Sequence, residues 1–199
     1  MTSHDPLGIE LLLTLQALYV LGKIERNDFK TVTRSIGDLS EAHASHGFVH
    51  TLLQHGLSVH TVTPIDSREL AGPGVDAYLD RVFMEGTITE ERYLELVAHR
   101  DYIQSRAVYL RGYMEAWPQL TEEVRQPNAG DIQAALEHGA VVKIHARDQE
   151  SQLPLLVVPR DSQNCWVYDP DGVSPTTARS IAEASGLPKA QITYLYARP

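Results

Sequence analysis

Asp131-Ile132-Gln133-Ala134-Ala135-Leu136-Glu137-His138-Gly139-Ala140-Val141-Val142 is the stretch on which the fold turns. Ile132 and Leu136 stand one helical turn apart, Asn128-Ala129-Gly130-Asp131 offers a cap ahead of them, and Gly139 offers a stop. From Ala140 onward the hydrophobic period changes. It predicts strands at Ala140 to Ala146, Leu153 to Pro159, Cys165 to Tyr168 and Ile192 to Ala197, with a short helix around Thr177 to Glu183. Upstream the pattern is mostly helical. Leu11, Leu12, Leu15, Leu18 and Leu21 mark a buried helix over Gly8 to Leu21, a second runs from Arg26 to Ile36, and a third starts near Ser45 and stops at Gly56. Leu57 to Thr63 then reads as a strand, with Leu57, Val59, Thr61 and Thr63 on one face. Ala71-Gly72-Pro73-Gly74 leads into helices over Val75 to Val82 and Thr89 to Met114, ended by Trp117-Pro118. Helices first and strands last make an α+β order rather than a βαβ alternation. The expectation is one domain over 1–199, with a mainly helical half (1–127) whose helices pack on an antiparallel sheet from the mainly β half (128–199).

Composition removes several function classes. Seventeen Lys and Arg against 26 Asp and Glu leave a formal charge of -9 over 199 residues, with a pI of about 5.4. Nucleic acids are held chiefly by neutralising phosphates, so an acidic chain without a Lys/Arg cluster argues against that partner. No apolar run is long enough for a signal peptide or a membrane span, which predicts a soluble, cytoplasmic protein. A single cysteine, Cys165, excludes an intramolecular disulfide and any multi-cysteine metal site.

The opening stretch, continued by Leu153-Pro154-Leu155-Leu156-Val157-Val158 and by Trp166-Val167-Tyr168-Asp169-Pro170-Asp171-Gly172, resembles the second half of the bacteriocin-processing, double-glycine-leader cysteine peptidases. Asp5-Pro6-Leu7-Gly8-Ile9-Glu10 is similar to the segment where those enzymes carry Cys-Gly-Pro. His46-Gly47-Phe48, running on to Gly56-Leu57-Ser58-Val59, resembles their glycine-led helix entering a strand. The resemblance implies a papain-like fold and assigns roles one by one. The nucleophile position falls on Leu7, the base position on Pro154, and the acid that orients the base on Asp169. Leucine cannot attack and proline cannot take a proton, so the chemistry of a thiolate–imidazole pair is expected to be lost. What remains is a cleft walled by Leu7, Gly8, Pro154 and Asp169, suited to a peptide or a partner protein. The alternative is a repurposed enzyme of the same fold, acting on a small metabolite or peptide amide in an amide-forming biosynthetic pathway. It would draw on His4, Glu10, His145 or Asp169, and the ligand-binding candidates are Gly8, Glu10, His145 and Asp169.

Other constellations point to structure rather than chemistry. Cys165 is expected to be a semi-buried small side chain too far along its strand to serve Asp169. His43, His46 and His50 gather near the start of one helix without an acidic partner at a zinc-enzyme spacing, so no metal is expected. His60 and His145 lie on strands and are read as hydrogen-bonded structural histidines. Asp169-Pro170-Asp171-Gly172 lacks the later ligands of a calcium loop, and Gly72-Pro73-Gly74 is too short to cradle phosphate. No cofactor is expected. Tyr93, Tyr102, Tyr109, Tyr113 and Trp117 along the middle helix suggest core packing or self-association into a homo-oligomer.

Overall fold

The computed structural model describes residues 56–145, 154–169, 176–189 and 191–197, together with 14, 18, 19, 22, 25, 27, 49 and 52–54. The first three expected helices lie largely outside these residues. Gly56 adopts a φ of +78°, a left-handed conformation open to glycine without strain, and turns the chain into β1 (Leu57–Thr63). Then come α1 (Ser67–Leu70), α2 (Val75–Met84), α3 (Glu90–Ala98), α4 (Arg100–Ala116) and β2 (Leu120–Val124). The chain continues through α5 (Ala129–Glu137), β3 (Val141–His145), β4 (Leu155–Pro159), β5 (Asn164–Tyr168), β6 (Thr176–Ser180), α6 (Ile181–Ser185) and β7 (Gln191–Ala197).

The α+β class is as expected, and the seven strands form one sheet in the order β2-β1-β7-β3-β4-β5-β6. The sheet is not confined to the C-terminal half. β1 and β2 come from the first 127 residues, and they pair with each other in parallel while every other pairing is antiparallel. A parallel pair needs a crossover, and the segment carrying α1 to α4 supplies it.

Both faces of the sheet are covered, so its central strands are nearly continuous in apolar residues. On one face Leu57, Val59, Leu120, Val141, Leu156, Val158 and Leu195 pack with Leu18, Leu52 and Leu53 and with Tyr113 and Trp117 at the end of α4. On the other face Val62, Val142, Ile144, Val157, Val167 and Ile192 receive Ile132 and Leu136 of α5 and Ile181 and Ala184 of α6. Side-chain alternation along each strand divides the two sets. A third core, built around Leu70, Val75, Leu79, Val82 and Leu96, belongs to the crossover itself.

Besides the unanticipated single turn of α1, three elements differ from expectation. The long middle helix is two helices, broken at His99, whose φ of −111° and ψ of 21° interrupt the helical path. β2 was not anticipated, because Leu120-Thr121-Glu122-Glu123-Val124 buries only Leu120 and sits at the sheet's edge. The segment near Thr177 is a strand first and a helix only from Ile181. There the Ser180 hydroxyl accepts from the Glu183 backbone N–H while the Glu183 carboxylate accepts from the Ser180 N–H.

Candidate functional site

The resemblance directs attention to one end of the sheet. His145 is the last residue of β3, Pro154 directly precedes β4 and Asp169 directly follows β5. β3 and β5 both run antiparallel to β4, so these three positions gather at the same end. Pro154 is buried, whereas His145 and Asp169 are half-buried. β4 lies between the strands that carry His145 and Asp169, so the two are not cross-strand neighbours. Leu7, Gly8, Glu10 and His4 lie outside the described residues, as do His43, His46 and His50. Among the described residues no group of three His, Cys, Asp or Glu side chains stands close enough to hold a metal ion.

Cys165 is more deeply placed than expected. It is fully buried between the sheet and the α5–α6 layer, with Sγ 3.6 Å from the Arg179 carbonyl oxygen. It sits near the start of β5, and Asp169 follows the strand's other end. Burial pushes its thiol up, which suppresses the thiolate needed for attack.

Sequence reasoning missed a polar network on the α5-facing side of β1 and β2. The Arg125 guanidinium, just past β2, donates to Asp131 Oδ1 and Oδ2 at 2.6 and 2.7 Å and to Glu123 Oε1 at 2.7 Å. Asp131 also accepts from the Asn128 N–H at 2.7 Å and completes the capping box of α5. Arg125 holds the carboxyls of both Asp131 and Glu123 below their ordinary values. The capping half of this arrangement was readable in Asn128-x-x-Asp131, but the arginine partner, across a turn, was not.

His60 joins the same face. Its Nδ1 lies 2.8 Å from Thr121 Oγ1, its ring stacks on Tyr194 with centroids 5.5 Å apart, and Nε2 is 3.8 Å from Glu123 Oε2. Burial lowers its affinity for a proton, against the opposing pull of Glu123. The Tyr194 hydroxyl is buried without a hydrogen-bond partner among the described residues, and burial pushes its pKa well up. A structural, hydrogen-bonded His60 is what this geometry describes.

Comparison with protein-family models, with curated proteins and with solved structures finds no match. Among the described residues no helix is long and apolar enough to cross a membrane. The aromatics of the middle segment divide by role. Tyr113 and Trp117 pack against the sheet, and Tyr93 stacks on Phe83 at 4.6 Å, while Tyr102 and Tyr109 stay exposed.

Proposed function

We propose that this protein is a catalytically inactive relative of the papain-like, double-glycine-leader cysteine peptidases, and that it binds a peptide segment or a partner protein rather than cutting one. The observation that carries the reading is the state of Cys165. It is the chain's one sulfhydryl, fully buried under α5 and α6, raised in pKa by that burial, and set near the end of β5 opposite the one Asp169 follows. A nucleophilic cysteine needs an exposed, electropositive setting, and this one has neither. The order α5, Gly139, β3, β4, β5 and Asp169 supports the papain-like assignment, and buried Pro154 at the mouth of β4 is consistent with a base position without a base. The cleft expected from Leu7, Gly8, Pro154 and Asp169 would then serve recognition alone.

The test pairs a thiol probe with a peptide ending in Gly-Gly. The native protein is expected to leave iodoacetamide unreacted until it is unfolded, and to bind the peptide without cleaving it, as read by calorimetry and mass spectrometry. Cleavage that stops when Cys165 is alkylated would overturn the reading, and so would absence of binding.

A further inference from the structure

The crossover between β1 and β2 packs around its own core, and where this lobe meets the end of β2 a groove of about 640 Å³ opens. Pro64, Val82 and Val124 supply apolar lining, and Val124 is 48% exposed. The backbone there is open as well. Val59 N–H donates to the Gln119 carbonyl and Arg125 N–H to the Thr63 carbonyl, both at 2.9 Å, so Gln119, Thr121, Glu123 and Arg125 turn their backbone groups toward β1. Alternation turns those of Glu122 and Val124 outward along the sheet's edge, where they meet no hydrogen-bond partner among the described residues.

The charge of the lining is lopsided. Arg81 is paired with Glu85 at 4.0 Å, and Arg125 is held by Glu123 and Asp131. Asp66 and Glu69 line the same groove and form no ion pair among the described residues. The Asp66 carboxylate accepts the Arg68 N–H at 2.8 Å, a neutral donor that leaves its charge uncompensated.

We propose that this groove receives an extended, cationic peptide segment, which pairs with the open backbone of Val124 and sets Lys or Arg side chains against Asp66 and Glu69. Strand addition supplies backbone hydrogen bonds, and the two carboxylates select for positive charge. β2 and β6 are the two edges of the sheet, and β5, which leads to Asp169, lies five strands away from β2. The groove is therefore a site of its own, whether or not the Pro154–Asp169 end binds anything.

Fluorescence anisotropy with a fluorescein-labelled Val-Arg-Val-Arg-Val peptide tests it on the intact chain. Binding is expected to weaken as salt rises. Glu69→Lys, an exposed charge reversal checked for folding by circular dichroism, should weaken binding about fivefold. The same peptide N-methylated at every residue has no backbone N–H left on either edge and should not bind, while Asp169→Asn should leave the affinity unchanged. The inference is overturned if the peptide does not bind, if Glu69→Lys has no effect, if the N-methylated peptide binds equally well, or if Asp169→Asn abolishes binding.

Discussion

Arg125 grips Asp131 with both prongs of its guanidinium, Nη2 lying 2.6 Å from Oδ1 and Nη1 2.7 Å from Oδ2. The pair ties the end of β2 to the first turn of α5, and the Asp131 side chain is only 11% exposed. Truncating one partner of such a pair leaves the other poorly solvated. Arg125→Ala should lower unfolding stability by about 2 kcal/mol, measured as a fall in the urea midpoint at unchanged slope. Arg125→Lys should recover only part of the loss, because an ammonium offers a point charge where the guanidinium offers a fork.

The same arginine sets an acid limit. Asp131 and Glu123 titrate lower in the fold than their ordinary values of 3.8 and 4.5, with the hydrogen bonds from Arg125 as the leading cause. Depressed carboxylates stabilise the fold above the unfolded values, and that contribution drains as pH falls through the folded ones. The wild-type chain should lose stability steeply below about pH 4, and Arg125→Ala should lose less over that window. Equal slopes for the two proteins would sink the assignment.

Glu122 should behave in the opposite sense. Burial between β2 and α1 raises its pKa above 4.5, even though Ser67 donates to it from N at 2.9 Å and from Oγ at 2.5 Å. For a raised acid the folded state is the better proton binder, so stability rises as pH falls from the folded value toward 4.5. Glu122→Gln removes this term. On acidification across that window wild type should gain stability relative to Glu122→Gln, and a pH-independent difference would count against a charged Glu122.

Gly139 was legible as a stop, and its φ of +70° shows why glycine stands there. The residue carries the chain from α5 to β3 with its N–H on the Leu136 carbonyl at 2.9 Å. Gly139→Ala should cost about 1 kcal/mol, read as a lower melting temperature, because a Cβ disfavours the left-handed region.

How much could be read in advance follows from where the physics is local. β1, β3, β4, β5 and β7 announce themselves through apolar runs, because both faces of the sheet are covered. β2 does not: two glutamates and a threonine on an edge strand look like loop, and only its pairing with β1 makes it a strand. The break at His99 carries neither glycine nor proline. By contrast, Ser180-Ile181-Ala182-Glu183 spells a capping box and could have moved the last helix to its true start. The Arg125 network depends on a turn whose geometry no periodicity encodes.

Cys165 separates stability from function. Its side chain is fully buried with Ile132, Leu136, Val167 and Ile181 in the core on that face, and it behaves there as a small hydrophobe. Cys165→Ala should cost about 1 kcal/mol through the lost packing volume. A binding protein should nonetheless keep its affinity for peptide at temperatures where the variant is folded, since nothing at the Pro154–Asp169 end depends on a thiol set toward the far end of β5. A catalytic thiol would give the reverse pattern, an intact fold with function gone. Measuring the melting temperature and the peptide affinity of Cys165→Ala side by side decides between the two, because destabilisation alone moves only the first.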